Sequence, residues 1–580
     1  MIWDTVQSPF ASVIGTNYAP STAELEKVKD LLPQPQIELS KVLSEIDRVQ
    51  AVLDDLLLQK QSIEKYIDAH KSLLSPVRKI PPETLAEIFI HCLPTDSLYA
   101  VRNLAEAPLI FTTICHDWRQ IALNTPQLWR SLHFFLPPLL SDDVFFRRIA
   151  GITLWLERSG SLPLSISFHE GYENDPHIIP QSRPAMMASL IRSLMRFSDR
   201  MQDVYLSLPS SSFPIFDNLS PSFPILTSLH VWEKGFQTHD MNGIGSAGFA
   251  SLLHRMPALE KLELIGFHRI GINLNYRSLP CNWKLLTELV IHPLPLDLPQ
   301  VIAILSETPR MQSVSVGIIL NTSTANYHLV HLSNLHKMRV TFMTNGIWEL
   351  QDRNDYLEAC MTCLLKCIQC PALLALSLHY HGPGVAVSQR PFLGLVLHNL
   401  ETLELEIGVT PEALSVWFSI SPNLITLILK DVGFAAQDAL FPEFLRDSHL
   451  SSLTCSPSNP SPSWPHLQNM QIYFIPLPSV YIPSDPPITG ATLTAFLKSR
   501  SQASLKSCII VFRHKVLFSE AELKTLRSLK ECGLKLDMQW MKQLEGPSEP
   551  DLPDTGLKRH QPDGISQFRR LPGTYENLIE

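Results

Sequence analysis

The sequence predicts a mixed α/β chain: a heptad helix, then a small helical module, then a long, irregular solenoid of short strands and helices. Three observations predict it. An apolar triplet at i, i+3 and i+5 recurs ten times from Met201 onward, apolar residues between Leu39 and Leu74 alternate at steps of three and four, and 46 prolines stand against 23 glycines. The first pattern marks a repeated buried strand and the second an amphipathic helix with a narrow stripe. The third suits stacked short elements punctuated by proline better than glycine-rich loops that cradle phosphate. A chain of 580 residues, 45% apolar and 18% charged, can bury a sizeable core, so disorder throughout is excluded. Its net charge of −9 argues against a phosphate-gripping surface, and nucleic acid is not an expected partner.

Taken in order, residues 1–35 mix Pro, Ser and polar residues and are expected to be irregular. A helix over 36–75 follows, with the seam Leu39, Val42, Ile46, Val49, Leu53, Leu56, Lys60, Ile63, Ile67, His70 and Leu74. Only Lys60 and His70 interrupt this a/d pattern, and Ser75-Pro76 stops the helix. Such a stripe either self-associates through residues 39–74 as a coiled coil or packs back on its own chain.

Residues 77–134 form the helical module. Pro82 and Glu83 suit a first turn, after which Leu85, Ile88, Phe89 and Cys92 fall on one face. A second helix is expected to carry Leu98, Val101 and Leu104, and a third, from Pro108, Phe111, Ile114, Cys115, Trp118 and Ile121. Three short helices cannot bury Phe89, Trp118 and Trp129 alone, so these should meet another domain or another protein.

Here the chain resembles the F-box proteins, whose motif runs Leu-Pro-x-Glu, Ile-Phe, Val-Cys-x-x-Trp-Arg and Pro-x-Leu-Trp. The matching residues are Ile80, Pro81, Pro82 and Glu83, then Leu85, Ile88 and Phe89, then Ile114, Cys115, Trp118 and Arg119, then Pro126, Leu128 and Trp129. Ile replaces Leu at position 80 and Val at 114, and the stretch between the first and third helices is longer than in the family. With a heptad helix before the motif and an irregular leucine-rich region after it, the chain is similar to the expanded F-box-like families of mushroom-forming fungi. The resemblance implies docking on a Skp1-like adaptor and, through it, cullin in a ubiquitin ligase, with the repeats holding a protein target and the chemistry left to the ubiquitin-conjugating enzyme. Ile80, Pro81, Leu85, Ile88, Phe89, Cys115, Trp118 and Trp129 would then lie against the adaptor or support that contact. An interaction scaffold acting without cullin could use the same parts.

Residues 144–540 read as degenerate leucine-rich repeats. The triplets run from Met201/Val204/Leu206 through Leu226/Leu229/Val231, Leu259/Leu262/Leu264, Leu286/Leu289/Ile291, Met311/Val314/Val316, Leu335/Met338/Val340, Leu373/Leu376/Leu378, Leu400/Leu403/Leu405 and Leu424/Leu427/Leu429 to Leu467/Met470/Ile472. Helices are expected between them, near 185–197, 248–256, 301–306, 356–368, 411–418 and 493–499, so that stacked units bury a face none could bury singly. A helix near 153–158 and a strand at 164–168 join the two parts. Prolines 224, 257, 309, 371 and 422 mark the corners before strands. The Asn or Cys of a regular repeat is absent three residues past the triplet, where Phe267, Leu294, Ile319, Met343 and His381 stand. From Glu545 a polar tail, 545–580, is expected to be disordered.

Motifs for chemistry are weak. Gly243, Gly245 and Gly248 spell G-x-G-x-x-G with Glu263 downstream, but no strand immediately precedes them, as a dinucleotide site requires. Cys360, Cys363, Cys367 and Cys370 would lie along one helix face over about 15 Å, too far apart to surround one ion. No G-x-S-x-G, Walker or H-E-x-x-H pattern occurs, so the chain is expected to be a non-catalytic binding protein without cofactor or metal. Scattered cysteines, no charged leader and no long apolar run point to free thiols, no membrane association and a cytoplasmic or nuclear location.

Overall fold

The computed structural model describes residues 5–94, 99–137, 139–171, 183–209, 212, 214–219, 221–234, 253–265, 281–320, 328–344, 350–382, 385–432, 445–455, 464–475, 488–512, 518–544 and 573–577. The chain divides into two compact units, Met1–Leu85 and Ala86–Glu580.

In the first unit, α1 (Thr22–Leu31) and α2 (Pro33–Leu73) are helical. Residues 1–35 are thus not irregular throughout. Ser21 and Glu24 form a capping box, the Glu24 carboxylate accepting from the Ser21 N–H at 2.8 Å and hydroxyl at 2.6 Å, which satisfies a donor that would otherwise fray the first turn. Pro33 and Pro35 sit in the first turn of α2, where a missing N–H costs no helical bond. The helix α3 (Pro82–His91) begins in this unit and continues in the second.

The second unit is built on one sheet. Its strands are β1 (Ser131–Leu136), β2 (Leu164–Glu170), β3 (Met201–Pro209), β4 (Ser228–Lys234), β5 (Lys261–Ile265), β6 (Glu288–Leu296), β7 (Ser313–Ile319), β8 (Val330–His331), β9 (Lys337–Met343), β10 (Ile368–Gln369), β11 (Ala375–His381), β12 (Thr402–Glu406), β13 (Thr426–Val432), β14 (Asn469–Ile475), β15 (Ser507–Phe512), β16 (Lys535–Leu544) and β17 (Gly573–Asn577). All but β8 and β10, which pair with each other, lie in chain order in a single 15-stranded sheet. Every ladder in it is parallel except the last, β16 with β17. Parallel strands need crossovers, and the expected helices supply them: 298–307, 411–420 and 490–503 contain the sequence-predicted spans, and 350–367 and α7 (Arg183–Met195) overlap theirs, ending one and two residues early, once α6 (Asp142–Arg158) has joined β1 to β2. The helix expected at 153–158 is therefore the end of a longer one.

All ten triplets fall on strands or their entries, and all thirty residues are buried. Their middle members align into one row, from Leu132 and Ile166 through Val204, Leu229, Leu262, Leu289, Val314, Met338, Leu376, Leu403, Leu427 and Met470 to Cys508 and Leu536. The same pattern continues outside the predicted copies as Trp129/Leu132/Phe134 and Leu505/Cys508/Ile510, also buried. Prolines 224, 257, 309, 371 and 422 all stand in turns.

The polar ladder missing from the sequence is replaced by main chain. The Thr227 carbonyl accepts from both the Glu260 and Lys261 N–H at 2.9 Å, Glu260 from Thr287 and Glu288, Thr287 from Gln312 and Ser313, and the pattern continues through Gln312, His336, Leu374, Glu401, Ile425 and Gln468. Each corner carbonyl, which a helix-to-strand turn would otherwise bury without a donor, is satisfied by the next unit. Side chains add to it at Asn399, whose amide donates to the Pro371 carbonyl, and at Asn423, which donates to that of His398, both at 2.8 Å.

Within residues 545–580, expected to be disordered, β17 pairs antiparallel with β16 and covers an edge that would otherwise expose a row of backbone donors and acceptors. The glycine motif 243–248 lies outside the described residues, as does most of the helix expected at 248–256.

Candidate protein-interaction site

The second unit's helical module departs from three helices. Beside α3 stand α4 (Phe111–Ile114) and α5 (His116–Leu123), but no second helix spans Leu98 to Leu104. Leu98 itself lies outside the described residues, and Tyr99–Val101 is extended. Val101 bridges His133 of β1, whose N–H donates to the Ala100 carbonyl at 2.6 Å. A sheet edge offers this segment fixed backbone partners, which one turn of isolated helix cannot match. The expected third helix is broken at Cys115, whose extended backbone (φ −155°, ψ 172°) ends α4 and whose sulfur caps α5 by accepting from the Trp118 N–H at 3.4 Å.

The rings of the module meet inside it. Phe89 stacks on Phe111 with centroids 4.2 Å apart and meets Trp118 at 4.9 Å. Leu128 and Trp129 are buried, the Trp129 indole N–H donating to the Ala122 carbonyl at 2.8 Å, with Trp155 edge-on at 4.8 Å and the Arg158 guanidinium 4.7 Å from its ring centre. Of the two expected outcomes, another domain or another protein, Trp129 meets the first, packing on Trp155 of α6, while Phe89 is buried against Phe111 and Trp118. The apolar side chains the module presents outward include Ile88 (42% exposed), Ile114 (52%) and Leu104 (66%), and Cys92 and Cys115 are exposed as well. Trp118 is half-buried. In the first unit, Ile80 is half-buried, Pro81, Pro82 and Glu83 are exposed at the start of α3, and Leu85 is buried.

A second surface was missed from sequence. Because side chains alternate across a strand, the residues at i+4 and i+6 of each triplet line the sheet face opposite the leucine core. They are rich in His, Tyr, Trp and charge, a signal legible once the strands are assigned. On β3–β6, His230 Nδ1 and Glu263 Oε2 lie 2.5 Å apart, Lys261 pairs with Glu288 at 2.5 Å, and Tyr99 donates to Asp203 at 3.0 Å. The Lys261 and Glu288 side chains are 45% and 42% exposed, so a partner can reach them.

On β9–β13 the charges are buried. Glu404 accepts from Lys430 at 2.5 Å and from Ser377 at 2.9 Å, with Arg339 at 3.4 Å, while Glu406 lies 3.2 Å from His379. Burial opposes charge on Glu404, yet the His379 imidazole 3.7 Å away and the Lys430 and Arg339 charges hold its carboxyl well below the usual carboxylate range. His379, Glu404 and Glu406 offer ligand atoms within 4.8 Å of one another, a spacing a metal could use. The Lys430 ammonium, also 3.5 Å from Glu406, already stands there as the cation.

The four-cysteine series is split: Cys360, Cys363 and Cys367 lie on the helix 350–367, and Cys370 follows it. Burial pushes the Cys360 thiol up to about 12 and those of Cys363 and Cys370 up to about 11, which disfavours the thiolate that metal binding or nucleophilic attack needs. Cys370 lines a cavity of about 450 Å³ with mixed walls, apolar at Leu365, Ile368, Leu373 and Leu397 and polar at His331, Ser333, Lys366 and Gln369.

The His230 pair gives a pH test. Burial lowers the imidazole's affinity for its proton, but the Glu263 hydrogen bond and charge outweigh that, and His230 titrates above its ordinary range. The stabilisation is then full below about pH 6.5, the unfolded value, and lost as pH rises through the raised folded value. Melting temperature should fall over that window, and Glu263→Gln should flatten the fall. An unchanged profile in the variant would refute the assignment.

No family model matches the chain, and no curated protein matches it. Among solved structures, it is similar to a chain in the crystal structure of the Rad7 and Elc1 complex in yeast, at a TM-score of 0.33 and 12% identity, over 82% of this chain and 96% of that one. Among the described residues, no helix is long and apolar enough to cross a membrane.

Proposed function

We propose that the chain is a target-receiving subunit of a Skp1–cullin–F-box ubiquitin ligase. Residues 77–134 act as the F-box and the repeat sheet receives a protein target. The observation that carries this reading is the division of the module into an internal aromatic cluster, Phe89, Phe111 and Trp118, and outward aliphatic side chains, Ile88 and Ile114, in a segment whose ordered blocks resemble the F-box motif. Exposed aliphatic residues on helices fixed by a rigid core are what an apolar adaptor groove binds. The polar, half-exposed face at His230, Lys261 and Glu288 suits a target that brings its own hydrogen-bonding groups. The receptor supplies proximity: it holds the target beside activated ubiquitin and raises effective concentration.

The test is co-purification of Skp1 and cullin with the full chain. Ile88→Glu/Ile114→Glu should reduce Skp1 recovery at least tenfold with an unchanged melting temperature, since both side chains already face water. Undiminished capture by the folded variant would overturn the assignment. Skp1 recovered from the native chain without cullin would favour the scaffold reading.

A further inference from the structure

Within the first unit, the described residues leave the apolar seam of α2 exposed. Leu39 is 58% exposed, Leu53 47%, Leu56 55% and Ile63 59%, and no described residue of the helix is buried. At 41 residues the helix is about 60 Å long. A strict seven-residue repeat sustained over about five heptads does not fit a straight helix of 3.6 residues per turn, but it does fit a supercoil with a partner of the same period. Among the described residues α2 is the one helix with that length and repeat. Another copy of the chain would supply a stripe of the same length and period.

The orientation follows from the two seam positions that are not aliphatic. With Leu39 at position a, Lys60 is also an a residue and His70 a d residue. In a parallel, in-register pair Lys60 would face Lys60 and His70 would face His70, setting two ammonium groups across a dry layer. Reversing one helix gives the layers Leu39–His70, Val42–Ile67, Ile46–Ile63, Val49–Lys60 and Leu53–Leu56, each repeated by symmetry. Every layer then contains an aliphatic residue, the uninterrupted N-terminal half of the seam covers the interrupted C-terminal half, and no like charges meet. Glu45, one turn from Val49 and exposed, flanks the layer that takes Lys60 from the other copy. Leu43, Val52, Leu57, Tyr66 and Leu73 widen the stripe at the flanking e and g positions, and all are exposed. Eight aliphatic seam residues per copy with these flanks bury on the order of 1,000–1,500 Å², by the area equivalent of an aliphatic side chain, which reaches the size of a specific interface.

We propose that the chain forms a homodimer through an antiparallel α2 coiled coil. The test uses the full chain in sedimentation or native mass spectrometry. The native protein should run at twice the 65.4 kDa of one chain at micromolar concentration, and Leu53→Glu/Leu56→Glu should run as a monomer with its melting temperature unchanged. Lys60→Leu should tighten the dimer about tenfold, an effect an isolated exposed helix would not show. Leu39→Cys/His70→Cys should form a covalent dimer under oxidation beyond the background of the native cysteines, whereas Leu39→Cys alone should not. A monomeric native chain, a dimer that survives the two glutamates, a mixed complex in place of the homodimer, or cross-linking by Leu39→Cys alone would each overturn the proposal.

Discussion

Lys430→Met is expected to lower the unfolding free energy of the second unit by about 3 kcal/mol, read from chemical denaturation. Glu404 has no exposed side-chain surface, and the Lys430 side chain is 6% exposed. Removing one partner of a buried pair costs about 3–5 kcal/mol, because the remaining charge is stranded out of water. Arg339 and Ser377 still touch Glu404, which puts the loss at the low end of that range. Glu406, 3.5 Å from Lys430, loses a cation as well and keeps His379. The double change Lys430→Met/Glu404→Leu should recover much of the loss, since two apolar side chains of similar volume need no counter-charge. A single variant within 0.5 kcal/mol of the native protein would mean that Arg339 alone neutralises Glu404.

This cluster also marks where sequence reading stops. Leu403 and Leu405 were legible as core because burial on one face leaves a hydropathy pattern in the chain itself. Glu404 between them and Glu406 just after are buried as well, but their partners lie on β9, β11 and β13, and only the register decides that Lys430 faces them and not a neighbour two residues away. The same limit hid the corner ladder, whose acceptors are carbonyls and leave no trace in side-chain identity. Other misses had visible signals. Ser21-x-x-Glu24 spells a capping box inside the stretch 1–35 expected to be irregular. β1 and β15 follow the same apolar triplet, Trp129/Leu132/Phe134 and Leu505/Cys508/Ile510, outside the ten copies read from the sequence. The helix expected at 98–104 failed for a tertiary reason: Tyr99–Val101 has the free edge of β1 to pair with, and Asn103 turns the chain, its side-chain oxygen accepting from the Ala105 N–H at 3.0 Å.

Trp129 should be the most costly side chain of the helical module to remove, and its removal separates stability from adaptor binding. The ring is fully buried, touches α5 through Ala122 and α6 through Trp155 and Arg158, and sits beside Trp155, whose own indole N–H donates to the Ser131 carbonyl of β1 at 3.2 Å. Truncation to Ala leaves a cavity that neighbouring aromatics are too large to fill by small shifts, and buried Trp-to-Ala changes cost about 3–5 kcal/mol. Trp129→Phe keeps most of the volume and loses the N–H, leaving the Ala122 carbonyl without that donor, so about 1–2 kcal/mol is expected. Denaturant midpoints should therefore rank native, Phe, Ala. If Trp129 instead contacted an adaptor, Ala would cost binding and leave the midpoint unchanged. The geometry requires the reverse order of effects: Trp129→Ala loses stability first and binding only as the module unfolds, whereas Ile88→Glu/Ile114→Glu loses binding at constant midpoint. Measuring both variants for both quantities tests whether the rings are the foundation of the module and the two isoleucines its contact surface.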